Sequence, residues 1–202
     1  MHHRSLVGST RARSTVRTLN QHEELPLLRD HLLRLDRAGR HDRFHGFIDD
    51  SFIEGYAEKC ANDGTIVIAY FEDGVVRGAA ELHPPEQSPD SLPEIAFSVE
   101  APARRRGVSS FLFRQLIAEA RAKGYRKLRI TTGAQNVAMR ALANKFGAHL
   151  TFSQGESTGR IDVIKHDQPQ SASVPFGFAN TLAAARAIAV TNRTYWRMLF
   201  KM

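Results

Sequence analysis

Residues 94–116 read EIAFSVEAPARRRGVSSFLFRQL. They describe a strand, a short basic loop and the start of a helix. Ile95, Phe97 and Val99 alternate with Ala96 and Ser98, the two-residue period of a strand. Pro102 ends the ladder because it has no N–H to donate. Val108, Leu112 and Leu116 then recur four apart, with Phe113, Ile117 and Ala120 beside them, as one apolar helical stripe. Arg104-Arg105-Arg106-Gly107-Val108-Ser109-Ser110 lies at the join. Its glycine permits a tight turn and close backbone approach to a ligand. The free N–H groups of the first helical turn form an anion site, and arginines add fork-shaped donors for phosphate. No G-x-x-x-x-G-K-[ST] or G-x-G-x-x-G is present, so a phosphate-bearing ligand would be held by another kind of loop. From the loop alone, an ordinary basic helix start on an α/β protein is equally open.

The 202 residues suit one domain with a sizeable core. A hydrophobic content of 42% and a charged content of 24% belong to the globular class and exclude a disordered chain. No run approaches the ~20 apolar residues that span a bilayer. The opening MHHRSLVGSTRARS has no apolar core of a signal peptide, and Cys60 has no internal disulfide partner. A reducing cytoplasm is the expected location. The net charge of +7 favours polyanionic partners, either a coenzyme or a nucleic acid.

In chain order, residues 16–19 read as a first strand. Leu25, Leu28, Leu32 and Leu35 carry a helix to about Arg37, and residues 37–44 form a turn or short helix. His41 and His45 are four apart, as helix-borne metal ligands would be, but no third ligand accompanies them. Asp49-Asp50-Ser51 starts the next helix, with Phe52, Ile53, Tyr56, Ala57 and Cys60 on its buried face. Its outer face holds Glu54 and Glu58, with Asp63 following. These acids are either a solvated surface or a lure for a cationic amine. Residues 65–71 and 75–82 are strands joined by an Asp73-Gly74 hairpin turn. Gly78-Ala79-Ala80 are small where a backbone or ligand comes close. Residues 83–93 form a proline-rich loop, either a rim over a site or a surface insertion. Gly124 caps the central helix, residues 127–132 are a strand, and Asn136 opens a helix that Gly147 closes. Residues 148–153 and 159–164 are the last strands, with Gln154-Gly155-Glu156 between them.

The loop Arg104-x-x-Gly107-x-Ser109 resembles the [QR]-x-x-G-x-[GA] pyrophosphate loop of GNAT (Gcn5-related) N-acetyltransferases, with Ser109 in place of the usual Gly or Ala. The order N-x-x-A/M-x-x-L-x-x-K-x-G, here Asn136 to Gly147, resembles the second motif of that family at its usual distance. Residues 35–44 resemble the S-x-x-S-R-Y-x-R-F segment in the acetyltransferase domain of bacterial protein-lysine acetyltransferases, through Arg43-Phe44. The resemblance implies an α/β (α+β) fold, with a mixed central sheet of six to seven strands flanked by helices. An extra helix over 178–202 would follow a 167–177 linker, behind a 15–166 domain and a mobile 1–14 segment. That last helix would pack on the domain, join a homodimer or lie on an anionic membrane.

The implied activity is acetyl transfer from acetyl-CoA to a primary amine, on a protein lysine or a small molecule, without a metal. Phe97, Ser98 and Val99 would offer backbone groups to the pantetheine arm and thioester. Arg104, Arg105, Arg106, Gly107, Val108 and Ser109 would wrap the pyrophosphate, and Asn136 would contact the coenzyme. Glu94 aligns with the family's general base, whose carboxyl in a partly dry cleft can titrate near the working pH. The family's L-Y-x-K-x-G tyrosine, an acid toward the thiolate, is Ala143 here. Two other readings stand beside this one. One is a coenzyme-binding sensory module that catalyses nothing. The other is a nucleic-acid binder using Arg104–Arg106, Arg121, Lys123, Arg126, Lys127 and Arg129, which lacks interleaved aromatics.

Overall fold

A computed structural model describes residues 13–20, 23–88 and 90–164. The expected C-terminal helix and the linker before it lie outside the described residues, as does most of the N-terminal segment.

The elements in order are β1 (Ser14–Thr18), α1 (Leu25–Leu33), α2 (Arg37–Phe44), α3 (Asp50–Asn62), β2 (Ile66–Glu72), β3 (Val75–His83), β4 (Glu94–Val99), α4 (Val108–Ala122), β5 (Lys127–Gly133), α5 (Val137–Lys145), β6 (His149–Ser153) and β7 (Glu156–Asp162). They build one seven-stranded mixed sheet of order β1-β2-β3-β4-β5-β7-β6. The β4–β5 pair is parallel, and every other neighbouring pair is antiparallel.

Alternation of side chains across the sheet produces two cores. Ile68, Tyr70, Ala80, Leu82, Ile95, Leu128 and Ile130 face α4, while Val67, Ala69, Phe71, Val76 and Ala79 face α1 and α3. β2 is thus apolar from Ile66 to Phe71 because both its faces are covered. α4 buries Val108, Leu112, Phe113, Leu116, Ile117 and Ala120, and each large side chain contributes about 1.5–3 kcal/mol. The small residue Gly78 has a packing role. A Cβ there would lie 3.1 Å from Val108 Cγ1 and 3.4 Å from Leu112 Cδ1, so α4 can sit close on β3.

The stretch 37–44 is a helix because the Asp36 carboxylate accepts the Gly39 N–H at 2.6 Å and caps it. The last strand begins at Glu156, not at 159. Gln154 (φ 50°) and Gly155 (φ 83°) form a two-residue turn with both φ positive, which leaves Glu156 paired with Ser153. β3 runs one residue past its expected end and places His83 in the sheet, opposite Glu94.

Candidate active site

The basic loop leaves β4 through a 3-10 turn at Ala101–Ala103 and enters α4 at Gly107. Arg105 (φ 59°) and Gly107 (φ 80°) both take the left-handed conformation. Alternation of that kind curls successive N–H groups into an anion-binding concavity. The first N–H groups of α4 have no intrahelical acceptor; Ser110 and Phe111 are the first to bond, both to Gly107 O, at 3.0 and 3.1 Å. Two of the arginine side chains turn sideways. Arg104 pairs with Asp36 at 2.9 Å and donates Nε to Val99 O at 2.9 Å, and Arg106 pairs with Glu72. Arg105 is exposed. The loop therefore offers backbone donors first, with Arg104 and Arg106 held beside it.

β4 and β5 stay together only over Glu94↔Arg129 and Ile95↔Ile130. Beyond them no pairing continues, and Phe97 and Val99 border an open gap. Glu100 N–H donates to Arg77 O at 2.9 Å, which sets the phase of the β3–β4 ladder. Directly bonded pairs alternate along an antiparallel ladder, so the backbone groups of Phe97 and Val99 face the gap and those of Ser98 face β3. Ser98 therefore departs from its two neighbours. Its buried hydroxyl meets His31 Nε2 at 2.9 Å, and His31 Nδ1 meets Glu100 at 3.0 Å. Arg34 and Arg77 also reach Glu100, at 3.0 and 2.7 Å. Burial opposes the Glu100 charge, but the hydrogen bonds from His31 and Arg77 outweigh it and hold the carboxyl at about 2.

Below the gap lies a cavity of about 270 Å³, lined by α2, α3, the 84–93 loop, β4, β5 and the start of α5. Pro84, Pro85 and Leu92 form part of its wall, so the proline-rich loop is a rim. Glu94 lies in it and accepts from Arg129 NH2 at 2.8 Å. His83, Glu94 and Arg129 share one row across three adjacent strands. Asn136, at the far side, caps α5 by accepting the Met139 N–H at 2.9 Å. Of the acids on or after α3, Asp63 borders the cavity, whereas Glu54 and Glu58 are exposed and do not.

One wall is a polar cluster that the sequence did not reveal. Arg43 NH2 donates to Glu81 at 2.7 Å and to the Tyr56 hydroxyl, which donates to Glu81 in turn. His83 Nε2 lies 3.1 Å from that hydroxyl, and His83 Nδ1 lies 2.9 Å from Thr65 Oγ1. Burial alone would raise the Glu81 carboxyl, but the Arg43 charge and hydrogen bonds from His83 and Tyr56 hold it far below the usual carboxylate range. Burial pushes the nearby Cys60 thiol up to about 12, so it stays protonated. The available signal was Glu81 itself, a lone acid inside an apolar strand, which requires a buried cation.

His45 ends α2 in the left-handed conformation (φ 57°), and its Nε2 accepts the Gly133 N–H at 3.2 Å. Burial and the neighbouring Arg43 charge lower it to about 4, so its ring is neutral. His41 instead rests edge-on against Phe47. No helix among the described residues is long and apolar enough to cross a membrane.

Several solved structures share this architecture. An N-acetyltransferase from Staphylococcus aureus Mu50 is 21% identical with a TM-score of 0.58, over 75% of this chain and 99% of that one. The GNAT domain of S. lividans PAT is 18% identical with a TM-score of 0.62, over 74% and 90%. PaiA N-acetyltransferase from Thermoplasma acidophilum, determined in complex with coenzyme A, is 14% identical with a TM-score of 0.55, over 74% and 99%. No curated protein sequence matches the chain. Residues 30–148, more than half of the chain, match the model of the acetyltransferase (GNAT) family, and the chain belongs to that family.

Proposed function

We propose that this protein transfers the acetyl group of acetyl-CoA directly to a primary amine. The observation that carries this reading is the gap where β4 leaves β5 past Ile95, continuous at one end with the Gly107 loop and at the other with the Glu94 cavity. The coenzyme's pyrophosphate would sit on the backbone donors of residues 105–109 and the start of α4. Its pantetheine arm would run along Phe97 and Val99 and add to the sheet as a short strand does. The thioester then lies at the cavity, and the amine enters from the side of α2 and α3. The PaiA neighbour's coenzyme A supports the choice of ligand.

Within the cavity, Glu94 takes the proton of the attacking amine. Arg129 orients its carboxylate, and the apolar rim of Pro84, Pro85 and Leu92 limits water. Ala143 is fully buried and carries no proton for the sulfur. Attack forms the N–C bond, the C–S bond breaks, and its electron pair goes to sulfur. The acceptor is a lysine side chain or a small amine; Ala143 in place of the family tyrosine resembles the protein-lysine acetyltransferases and favours the lysine. The test is calorimetric titration with acetyl-CoA, CoA and ATP, followed by a screen of peptides and amines for release of free CoA. Saturable binding of acetyl-CoA with amine-dependent CoA release is the expected result. Failure to bind acetyl-CoA overturns the reading, and binding without turnover on any amine would leave a coenzyme-binding module.

A further inference from the structure

Thr132 stands across the β4–β5 gap from Phe97. The last paired residues are Ile95 and Ile130, and two residues further along each strand are Phe97 and Thr132. Both look toward the α4 side. Phe97 stacks on Phe113 at 5.2 Å, and Thr132 shares a strand face with the buried Leu128 and Ile130. Thr132 is 1% exposed and lines the cavity together with Asn136 and Met139. Among the described residues its Oγ1 has no hydrogen-bond partner. A buried hydroxyl without a partner is destabilising, and a valine of the same shape would fill the site without that cost. The Thr132 hydroxyl is therefore open to a hydrogen bond with an atom that enters the cavity.

Resting on the acetyl-CoA reading above, we propose that the Thr132 hydroxyl is the binding group for the sulfur of the coenzyme and stabilises it as thiolate. The pantetheine arm that follows Phe97 on the β4 side brings its sulfur against Thr132 on the β5 side. When the amine attacks, the C–S electron pair moves onto sulfur, and Thr132 O–H donates a hydrogen bond to the negative charge. The threonine keeps its own proton. The proton lost by the amine goes to Glu94. A charge-assisted hydrogen bond in a dry gap strengthens as the bond breaks, so it acts mainly on the transition state and the product. On the α5 side Ala143 supplies no hydroxyl that could do this instead.

The test uses Thr132→Val and Thr132→Ser in the full chain. Affinity for CoA and for desulfo-CoA, which lacks the thiol, is measured by calorimetry at about pH 9, where much of a thiol is ionised. Wild type and Thr132→Ser should bind CoA more tightly than desulfo-CoA. Thr132→Val should lose that preference through about tenfold weaker CoA binding, with desulfo-CoA unchanged and with an equal or higher melting temperature. Turnover should fall by about the same factor. Thr132→Val binding CoA like wild type, or weakened equally for both ligands, would overturn the proposal. If wild type binds neither ligand, the acetyl-CoA reading itself fails.

Discussion

Arg129 NH2 donates to the Glu94 carboxylate at 2.8 Å across the parallel β4–β5 pair, one residue before the two strands separate at Ile95 and Ile130. The pair therefore fixes a carboxylate in the cavity beside the gap, where the proposed reaction needs a base. A lysine amine titrates near about 10.4, so at neutral pH it must lose a proton before it can attack. Glu94→Gln keeps the shape and removes the basicity. Turnover should drop by about 10²–10⁴ while acetyl-CoA affinity holds, and the loss should shrink as pH rises. Wild-type turnover of the variant from about pH 6 to 9 would remove Glu94 from the role of base.

Gly107 has φ 80° at the head of α4. Aspartate tolerates this conformation better than most residues, so Gly107→Asp should fold while placing a negative charge where the pyrophosphate is proposed to bind. Acetyl-CoA affinity should fall by at least about tenfold, since a like charge in place of a dipole opposes the anion. Unchanged affinity in a variant with a native circular dichroism spectrum would place the coenzyme elsewhere.

Arg43 and Glu81 form a buried ion pair, with side-chain exposures of 5% and 0%. Removing one charge leaves the other without compensation, at a cost of about 3–5 kcal/mol. Glu81→Leu and Arg43→Met should each lower the urea midpoint markedly. The double variant Arg43→Met with Glu81→Leu should be milder than the sum, because no isolated charge remains. Strictly additive losses would show that the two side chains are not coupled.

Acid stability follows from Glu100. Its folded-state carboxyl titrates at about 2 against an ordinary 4.5. A lowered carboxyl contributes stability above the unfolded value and loses it as pH falls through the folded one. The contribution is thus present above about pH 4.5 and fades toward about pH 2, and it amounts to about 3 kcal/mol. Glu81, also lowered, adds in the same direction. Urea midpoints between about pH 7 and 3 should fall, and Glu100→Gln should be weaker at pH 7 with a shallower fall. An acid slope unchanged in Glu100→Gln would mean that other carboxylates set it.

The strand, loop and helix of residues 94–116 were legible in the sequence because their determinants are local. Alternation at Ile95, Phe97 and Val99, the stop at Pro102 and the stripe from Val108 to Leu116 each act within one or two turns of chain. The hairpin at Asp73-Gly74 and the cap at Asn136 are local in the same sense. Residues 37–44 were ambiguous because their composition is polar throughout. The start of β7 was misplaced because the geometry of its turn, and not hydrophobicity, sets it.

Only the tertiary structure brought Arg43 to Glu81 across 38 residues, Glu94 to Arg129 across 35 and His31 to Ser98 across 67. Nor could one strand's sequence show that β4 and β5 separate after Ile95, since a ladder's end depends on both strands and on the helices packed over them. The sequence by itself offered a basic helix start suited to an anion and an acid, Glu94, at the opposite end of the strand before it. The fold decided which backbone groups face the gap, which arginines are already paired, and that Thr132 lies opposite Phe97. Those facts follow from register and burial, and both come into being only when distant segments meet.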